Sequence, residues 1–311
     1  MPTPGEGGPA PFRFCVASGG ARSVEQWREL ARKVEGSGYD LLTMTDHIHQ
    51  PMAPFTALAM AAAATTTLRL GTYVLCQDLR NPVIMAKEFA TLDVLSGGRA
   101  EIGLGAGWRR SDYTQTGIPF GTRPERFERF VEYVEVVCAL LAGGPVSYEG
   151  RHVSVADVTN LPAPAKPIPL LIGGSRRRLI ELAARRADTV SIAPSRRPDG
   201  RRSTYWDTEI DDRVRWARAA AAGRPAQPEI DLAIHECRVV PDPAATIAEF
   251  SATFGVREDQ IAEIPSLLVG TPEQVTEALL ARRERWGASR VTIPDTAIDA
   301  MAPVVARLAG T

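Results

Sequence analysis

Short apolar runs alternate with longer runs of helical spacing along most of this chain. Predicted strands occupy residues 12–18, 41–45, 68–75, 100–104, 169–172, 189–193, 230–240 and 290–293. Predicted helices occupy residues 24–35, 55–65, 82–95, 124–141, 176–186, 271–286 and 298–308. Strands that alternate with helices are typical of parallel βα units. The pattern predicts an α/β fold, a (β/α)8 TIM barrel that occupies residues 12–311 as a single domain.

Three segments interrupt this alternation. Residues 1–11 are polar and rich in Pro and Gly, and we expect a disordered tail there. Residues 143–169 contain five prolines, four of them within 162–169, and we expect an irregular insertion over the barrel. Residues 194–204 are basic and contain proline, which favours a mobile active-site loop.

Charge and cysteine content narrow the class of protein. The chain has 36 Lys and Arg against 37 Asp and Glu in 311 residues, so no overall field favours nucleic acid or an anionic membrane as partner. The four cysteines are far apart, which indicates neither a disulfide framework nor a zinc site, and we expect no metal. No run approaches the roughly 18 apolar residues of a membrane span. We expect a cytoplasmic protein that acts on a small molecule.

The strand at 100–104 continues into three glycines, Gly103, Gly105 and Gly107. Glycine lets a backbone approach a ligand closely. The carboxyl ends of parallel barrel strands carry the chemistry of such folds. The sequence therefore predicts a ligand at this end of the strand.

Asp46 and His47 directly follow the second predicted strand, so both should lie at the same rim. Histidine titrates near neutrality and transfers protons, and a preceding carboxylate can orient it. The alternative is a rim hydrogen bond without chemistry. We expect His49 to be an exposed loop residue and the isolated His152 and His235 to be structural.

The segment 169–175 leads a strand into a helix through Gly173, Gly174 and Ser175. Backbone N–H groups at such a helix start bind phosphate. Three arginines follow at 176–178, which indicate either an anion site or a solvated helix face. No early G-x-G-x-x-G turn or Walker lysine supports a nicotinamide or nucleotide-hydrolase site.

Several motifs together resemble the luciferase-like monooxygenase superfamily. They are Thr-Asp-His at 45–47, Leu-Arg-Leu-Gly-Thr at 68–72, Leu-Asp-Val-Leu-Ser-Gly-Gly-Arg at 92–99, Gly-Leu-Gly-Ala-Gly-Trp at 103–108, Ile-Gly-Gly at 172–174 and Gly-Thr-Pro-Glu-Gln-Val at 270–275. The chain is most similar to the branch that uses coenzyme F420, a deazaflavin. The resemblance implies a bacterial-luciferase-like barrel with insertion loops at its C-terminal face, and a homodimer.

The resemblance also implies the site residues. It places Asp46 and His47 beside the deazaflavin ring, Gly107 and Asp112 along the ribityl chain, and residues 173–175 at the phosphate. The full set of implied cofactor contacts is Asp46, His47, Tyr73, Val74, Cys76, Ala106, Gly107, Asp112, Ile172, Gly173, Gly174, Ser175 and Arg176. A cis peptide is implied at Tyr73–Val74, and Cys76 is implied to pack at the ring edge rather than act as a nucleophile.

One departure from the family pattern concerns the substrate. Sugar-phosphate dehydrogenases of this branch have a glutamate after the glycine segment, whereas this chain has Trp108. An apolar or aromatic substrate is therefore expected in place of a sugar phosphate. Three loops, 48–54, 109–123 and 194–206, would shape its pocket. The candidate lining residues, each of which could equally be a rim packing residue, are Trp108, Tyr113, Phe120, Tyr205 and Trp206.

The implied activity is hydride transfer between F420 and a C=C, C=N or alcohol/carbonyl group. His47, aided by Asp46, would move the proton, and the arginines at 176–178 would meet the carboxylates of the F420 tail. Two alternatives stay open. One is an FMN-dependent monooxygenase that uses reduced flavin and oxygen, and the other is a non-catalytic flavin-binding barrel.

Overall fold

The computed structural model of the protein describes residues 10–193 and 207–311. The expected loop at 194–204, the candidates Tyr205 and Trp206, and residues 1–9 of the expected tail lie outside the described residues. The strands are β1 (Arg13–Ser18), β2 (Leu41–Met44), β3 (Arg69–Thr72), β4 (Leu75–Cys76), β5 (Ala100–Gly105), β6 (Pro145–Glu149), β7 (Ser154–Thr159), β8 (Leu170–Gly174), β9 (Thr189–Ile192), β10 (Glu229–Ala233), β11 (Glu236–Val239), β12 (Leu267–Gly270) and β13 (Ala288–Pro294).

Helices separate most of these strands. They are α1 (Val24–Gly36), α2 (Pro54–Ala64), α3 (Pro82–Ser96), α4 (Arg110–Thr116), α5 (Arg123–Ala142), α6 (Arg177–Arg186), α7 (Asp207–Ala220), α8 (Ala244–Phe254), α9 (Pro272–Trp286) and α10 (Ile298–Leu308). Helices α2, α3, α5 and α9 have proline in their first turn, where a missing N–H costs nothing. Capping boxes at Thr122 and Thr271 fix the starts of α5 and α9.

Among the described residues, nine strands form one sheet in the order β3-β2-β1-β13-β10-β9-β8-β5-β4, and β3 also pairs with β5. The pairs β1–β13, β9–β10, β3–β5 and β5–β8 are parallel. Strands β3 and β4 are two parts of one interrupted strand. The predicted (β/α)8 barrel is confirmed.

The predicted strand at 68–75 is interrupted at Tyr73–Val74, where the peptide bond is cis. The structure thus agrees with the bond that the family resemblance implies. The interruption separates β3 from β4, and β4 continues the pairing with β5 through Leu75 opposite Leu104.

The prediction of one strand over residues 230–240 is wrong. The chain leaves β10 after Ala233, and the backbone N–H of His235 donates to the carbonyl of Ser266 at 2.8 Å. Strand β11 then pairs with β12 in a separate two-stranded parallel sheet. The sequence does not mark the bend, because buried apolar residues lie on both sides of it, Leu232 before it and Cys237 and Val239 after it.

The segment 143–169, expected to be irregular, contains an antiparallel hairpin of β6 and β7. The hairpin covers helix α5: Val155 packs in one cluster with Val136 and Leu140. The backbone N–H groups of His152 and Val153, in the hairpin turn, donate to the Glu132 carboxylate. Tertiary contacts with α5 therefore order this segment. Its prolines favoured an irregular structure in the prediction from sequence. Elements α7, α8 and β12 were not predicted, and the segment 109–123, expected to be a loop, contains helix α4.

The chain divides into two compact units. One comprises residues 18–33 and 42–172, here called the His47 unit, and the other comprises the described residues within 1–17, 34–41 and 173–311. In the His47 unit, Arg99 donates to the carbonyls of Ala62 and Leu68 and so closes the end of α2 against the start of β3. The arginine of the motif at 92–99 thus has a structural role.

Candidate active site

His47 lies just beyond the carboxyl end of β2 and forms a pair with Asp112. Its Nδ1 is 2.7 Å from the Asp112 Oδ2, and the other carboxylate oxygen accepts from the Ile48 N–H at 3.3 Å. The Asp112 side chain is 4% exposed and that of His47 is 21% exposed. In this pair the carboxylate is therefore buried and the imidazole is accessible to solvent.

The partner of Nδ1 fixes the role of the other ring nitrogen. An ionised carboxylate only accepts hydrogen bonds, so Nδ1 carries a hydrogen. In the neutral ring, Nε2 then has the lone pair and is the nitrogen that can take or return a proton. The Gln50 side chain accepts from the His47 N–H at 3.1 Å and fixes the backbone beneath the ring.

Two predicted roles change in this arrangement. We expected Asp46 to aid His47, but Asp46 Oδ2 accepts from the backbone N–H of Cys76 at 3.0 Å and pairs with Arg80 Nη1 at 2.7 Å. Asp112, expected along the ribityl chain, is the carboxylate that orients His47. The side chains of Asp46 and His47 point apart because adjacent residues leave the strand end in different directions. The carboxylate that pairs with His47 comes from helix α4, 65 residues along the chain.

Two glycines of the 103–107 segment lie close to residues of the neighbouring strand. A Cβ added to Gly103 would overlap the Thr72 carbonyl oxygen, and one on Gly105 would meet the Val74 side chain at 2.6 Å. These two glycines therefore make room for neighbouring strand residues. The expected approach of a ligand to this backbone stays a prediction.

Gly107 is held by a buried polar network. It has φ +73°, and an added Cβ would overlap the Tyr113 hydroxyl and lie 2.8 Å from Cys76 Sγ. The Tyr113 hydroxyl donates to Asp78 Oδ2 at 2.7 Å, and Arg129 donates to both Asp78 oxygens at 3.0 Å. Only glycine fits such a position with a left-handed backbone.

Protonation states in this network follow from burial. Burial raises the pKa of Tyr113 far above its ordinary value, so the phenol is neutral and donates. The hydrogen bonds that Arg129 donates to the Asp78 carboxylate raise the pKa of Arg129. Burial raises the pKa of the Cys76 thiol to about 11, which agrees with packing rather than nucleophilic attack. Its Sγ lies 3.4 Å from the Tyr113 hydroxyl.

Of the expected pocket residues within the described part of the chain, only Trp108 is exposed. The Tyr113 side chain is buried, and Phe120 packs on it edge-to-face at 4.7 Å between ring centroids. The Arg126 guanidinium covers the Phe120 ring at 3.8 Å. Assigning Tyr113 to the lining of an open pocket is therefore wrong, because helix α4 turns it inward, towards Asp78.

The exposed side of the site consists of Trp108, Ile48, His49 and Arg109. Trp108 and Ile48 are each 48% exposed, and the Trp108 ring meets His47 edge-on at 5.5 Å between centroids. His49 is exposed, as expected, and its ring lies 5.5 Å from that of His47. Arg109 Nη1 lies 3.2 Å from His49 Nε2. Apolar surface and an accessible imidazole thus lie side by side.

The other predicted cofactor residues have simple placements. Ala106 offers its carbonyl to the Gln77 amide, and Ile172 is buried in β8. In the second compact unit, Gly174 and Ser175 lead from β8 to α6, whose N-cap is Arg176 without a side-chain cap. Arg213 donates to the Ser175 carbonyl at 3.0 Å. The first N–H groups of α6 therefore lack a side-chain acceptor at the helix cap.

The remaining histidines have local contacts. His152 Nε2 lies 3.7 Å from Glu128, and His235 Nδ1 lies 3.2 Å from the Ala233 carbonyl. Within residues 10–193 and 207–311, no group of three His, Cys, Asp or Glu side chains is placed to hold a metal ion. In the same ranges, every helix is too short or too polar to cross a membrane.

Comparison with known proteins gives a consistent picture. The family model described as luciferase-like monooxygenase matches residues 9–254. An uncharacterized protein of Mycobacterium tuberculosis is 31% identical over 248 residues, which cover 78% of each chain. An F420-dependent glucose-6-phosphate dehydrogenase of Beutenbergia cavernae is 35% identical over 164 residues, 50% of this chain and 48% of that protein.

Among solved structures, an F420-dependent secondary alcohol dehydrogenase in complex with an F420-acetone adduct superposes with a TM-score of 0.78 at 20% identity. The match covers 96% of this chain and 99% of that one. This likeness supports the barrel fold. Since the family model matches well over half of the sequence, the chain belongs to the luciferase-like monooxygenase family of enzymes.

Proposed function

We propose that the protein is a coenzyme F420-dependent oxidoreductase that transfers a hydride between the deazaflavin and a small organic substrate. The observation that carries the proposal is the His47–Asp112 pair, which presents an accessible imidazole beside the exposed Trp108. Its support from comparison is the similarity to the F420-dependent dehydrogenase of Beutenbergia cavernae.

Each compact unit, taken by itself, offers a feature that fits one part of a flat, phosphorylated cofactor. Ile48 and Trp108 offer exposed apolar surface next to a polar group, which suits one face and one edge of a heteroaromatic ring. In the other unit, the uncapped start of α6 after Gly174 and Ser175 offers N–H groups to a phosphate. Each feature is the kind that its part of the cofactor requires.

When bound, the deazaflavin would supply or accept the hydride. His47 Nε2 holds or receives the accompanying proton, while Asp112 keeps the ring in one tautomer and one orientation. Asp46 has a positioning role, because it ties the end of β2 to Cys76 and Arg80. Trp108, in place of an acidic residue, leaves no second proton donor at that position, so we do not propose sugar-phosphate oxidation.

The second candidate is an FMN-dependent monooxygenase. One observation favours it: Arg177, one of the arginines expected to meet the F420 tail, is paired with Glu181 at 2.7 Å on the helix surface. An FMN site needs the phosphate turn but no cations for a tail. The third possibility, a barrel that binds flavin without catalysis, has no such observation in its favour.

The deciding experiment is a calorimetric titration of the apoprotein with F420 and, in parallel, with FMN. We expect F420 to bind at least about tenfold more tightly, a difference of about 1.4 kcal/mol. The Arg176→Glu variant should weaken F420 binding more than FMN binding, because only F420 has a carboxylate tail. Arg185→Glu, at the other end of the same helix, is the matched control and should change neither.

The opposite preference would overturn the proposal in favour of the monooxygenase. An equal effect of both charge reversals would show that the arginines act only through the overall charge of α6. His47→Ala should bind F420 as the wild type does and lose most of its turnover.

A further inference from the structure

We propose that Arg109 and His49 form a subsite for an anionic group on the substrate, so that the enzyme acts on organic acids with an apolar or aromatic body. This inference rests on the proposed function for the reaction that the substrate undergoes. The binding of an anionic group depends only on the charges of the protein and not on the cofactor. The key residues lie on the exposed side of the site, next to His47.

Arg109 is a cation without an acidic partner among the described residues. Its Nε donates to the Ser111 hydroxyl at 2.9 Å and its Nη1 lies 3.2 Å from His49 Nε2. Both groups are neutral acceptors, so neither cancels the charge. The nearby Asp112 carboxylate is occupied by His47 and the Ile48 N–H.

Other arginines of the same unit show the contrast. Arg80 pairs with Asp46 at 2.7 Å and Arg129 pairs with Asp78 at 3.0 Å. A guanidinium has five N–H donors, and Arg109 uses Nε and one Nη1 donor in these contacts. An incoming carboxylate or phosphate would therefore meet a cation that still has donors to offer.

His49 holds Arg109 in place as a neutral acceptor. Burial, then the charges of Arg109 and His47, lower the pKa of His49 below its ordinary value, and they outweigh the Asp112 carboxylate, which raises it. At neutral pH its Nε2 lone pair can therefore accept from the guanidinium rather than repel it. A protonated His49 would add a second cation to the subsite, so anion binding should tighten in mild acid.

Position links the subsite to the chemistry. His49 is in ring contact with His47, and Trp108, which immediately precedes Arg109, contacts His47 from another side. A small molecule with its acid on Arg109 and its body on Trp108 would have its reacting carbon near His47 Nε2. The geometry thus selects a substrate that is apolar at one end and anionic at the other.

The test uses benzoate and benzamide, which share a shape and differ in charge. Each compound is titrated into the apoprotein and into the F420-loaded protein. Binding is measured by calorimetry and by the change in intrinsic tryptophan fluorescence. We expect benzoate to bind at least about tenfold more tightly than benzamide, a difference of about 1.4 kcal/mol, because only benzoate can form a charge-assisted hydrogen bond with Arg109. Arg109→Ala should abolish the preference, and Arg109→Lys should keep part of it.

The matched control is Arg110→Ala. Arg110 is the next residue, is exposed, and lies over the Phe120 ring at 5.6 Å, away from His49. Its removal should leave the preference unchanged, which separates local contact from general charge. His49→Gln, which retains an acceptor, should preserve the preference but remove its increase in mild acid.

Three results would overturn the inference. They are equal affinity for benzoate and benzamide, no binding of benzoate at millimolar concentration, and an Arg109→Ala variant that loses F420 affinity while its benzoate affinity is unchanged. The last result would assign Arg109 to the cofactor tail. Failure of the proposed function is distinct: the protein would then not bind F420, yet the apoprotein would still prefer benzoate.

Discussion

The two sides of the segment around Gly107 differ in how their charges are balanced. On the buried side, Tyr113, Asp78 and Arg129 satisfy one another with hydrogen bonds of 2.7 and 3.0 Å. On the exposed side, Trp108 is 48% exposed and Arg109 meets only neutral groups among the described residues. Fully paired buried polar groups rigidify a structure and are costly to break one at a time, whereas exposed, unbalanced charge is available to a ligand.

This difference leads to a general expectation about variants. Changes on the buried side should lower the free energy of unfolding and leave chemistry nearly intact. Changes on the exposed side should lower turnover or substrate affinity at nearly constant stability. The His47–Asp112 pair joins the two sides, since the acid is buried and the imidazole is accessible.

The largest effect is expected for His47→Ala. Loss of a positioned proton-transfer group costs about 10²–10⁴-fold in turnover. The affinity for F420 should stay within a few-fold, because the apolar surface of Trp108 and Ile48 is retained. Single-turnover absorbance of the deazaflavin measures the first quantity and calorimetry the second. His152→Ala, in the hairpin turn, is the control, and equal losses in both variants would contradict the role of His47.

Asp112→Asn should have the next largest effect. The amide keeps a similar shape but loses the charge and one of its two acceptors, so His47 can adopt the other tautomer. We expect a loss of about 10–100-fold in turnover, typical of a residue that orients a functional histidine. Proton NMR gives an independent readout: the 2.7 Å Nδ1–H bond should produce a strongly downfield imidazole signal that disappears in the variant. An unchanged signal would show that Asp112 does not hold the ring.

Tyr113→Phe should change stability and little else. It removes the hydroxyl that donates to Asp78, while Arg129 still pairs with that carboxylate. We expect a loss of about 1 kcal/mol in the free energy of unfolding by urea, with turnover within a few-fold of wild type. Tyr148→Phe removes a half-exposed hydroxyl bonded to Glu135 and should cost less. A large loss of turnover in Tyr113→Phe would erase the distinction between the two sides.

Much of the barrel and its rim could be predicted from the sequence because both depend on local order. Strand and helix periods placed the elements, and residues that directly follow a strand must lie at its end, which located His47. Pairing across long separations is different. Nothing in a sequence joins His47 to Asp112, 65 residues away, in preference to the adjacent Asp46.

The roles of individual glycines and arginines were the hardest to predict, because they too depend on residues that are distant in the sequence. A glycine is needed wherever another group comes close, and at Gly103 that group is the Thr72 carbonyl. Arg129 was missed because a charged residue in a helical pattern is typical of a solvated face, and Arg80 was missed because it lies in the short connection before α3. The one available signal was Tyr133, which lies one helical turn after Arg129 on the same face.

The smallest expected effect tests Cys76, which lies where the two sides meet. Because burial raises the pKa of its thiol to about 11, it is protonated at pH 8, and only the thiolate reacts with iodoacetamide. The rate at which Cys76 is alkylated in the folded protein, measured by mass spectrometry of the peptide that contains it, should therefore be low at pH 8 and continue to rise up to about pH 11. The same raised pKa implies that the free energy of unfolding falls as pH rises from about 9 towards 11, because the Cys76 thiol ionises at a lower pH in the unfolded chain than in the folded protein. Protein unfolded in guanidinium is the control, because its thiol should react near its ordinary pKa. A plateau near pH 8 to 9 in the folded protein would show that Cys76 is solvated, and would place it with Trp108 on the exposed side.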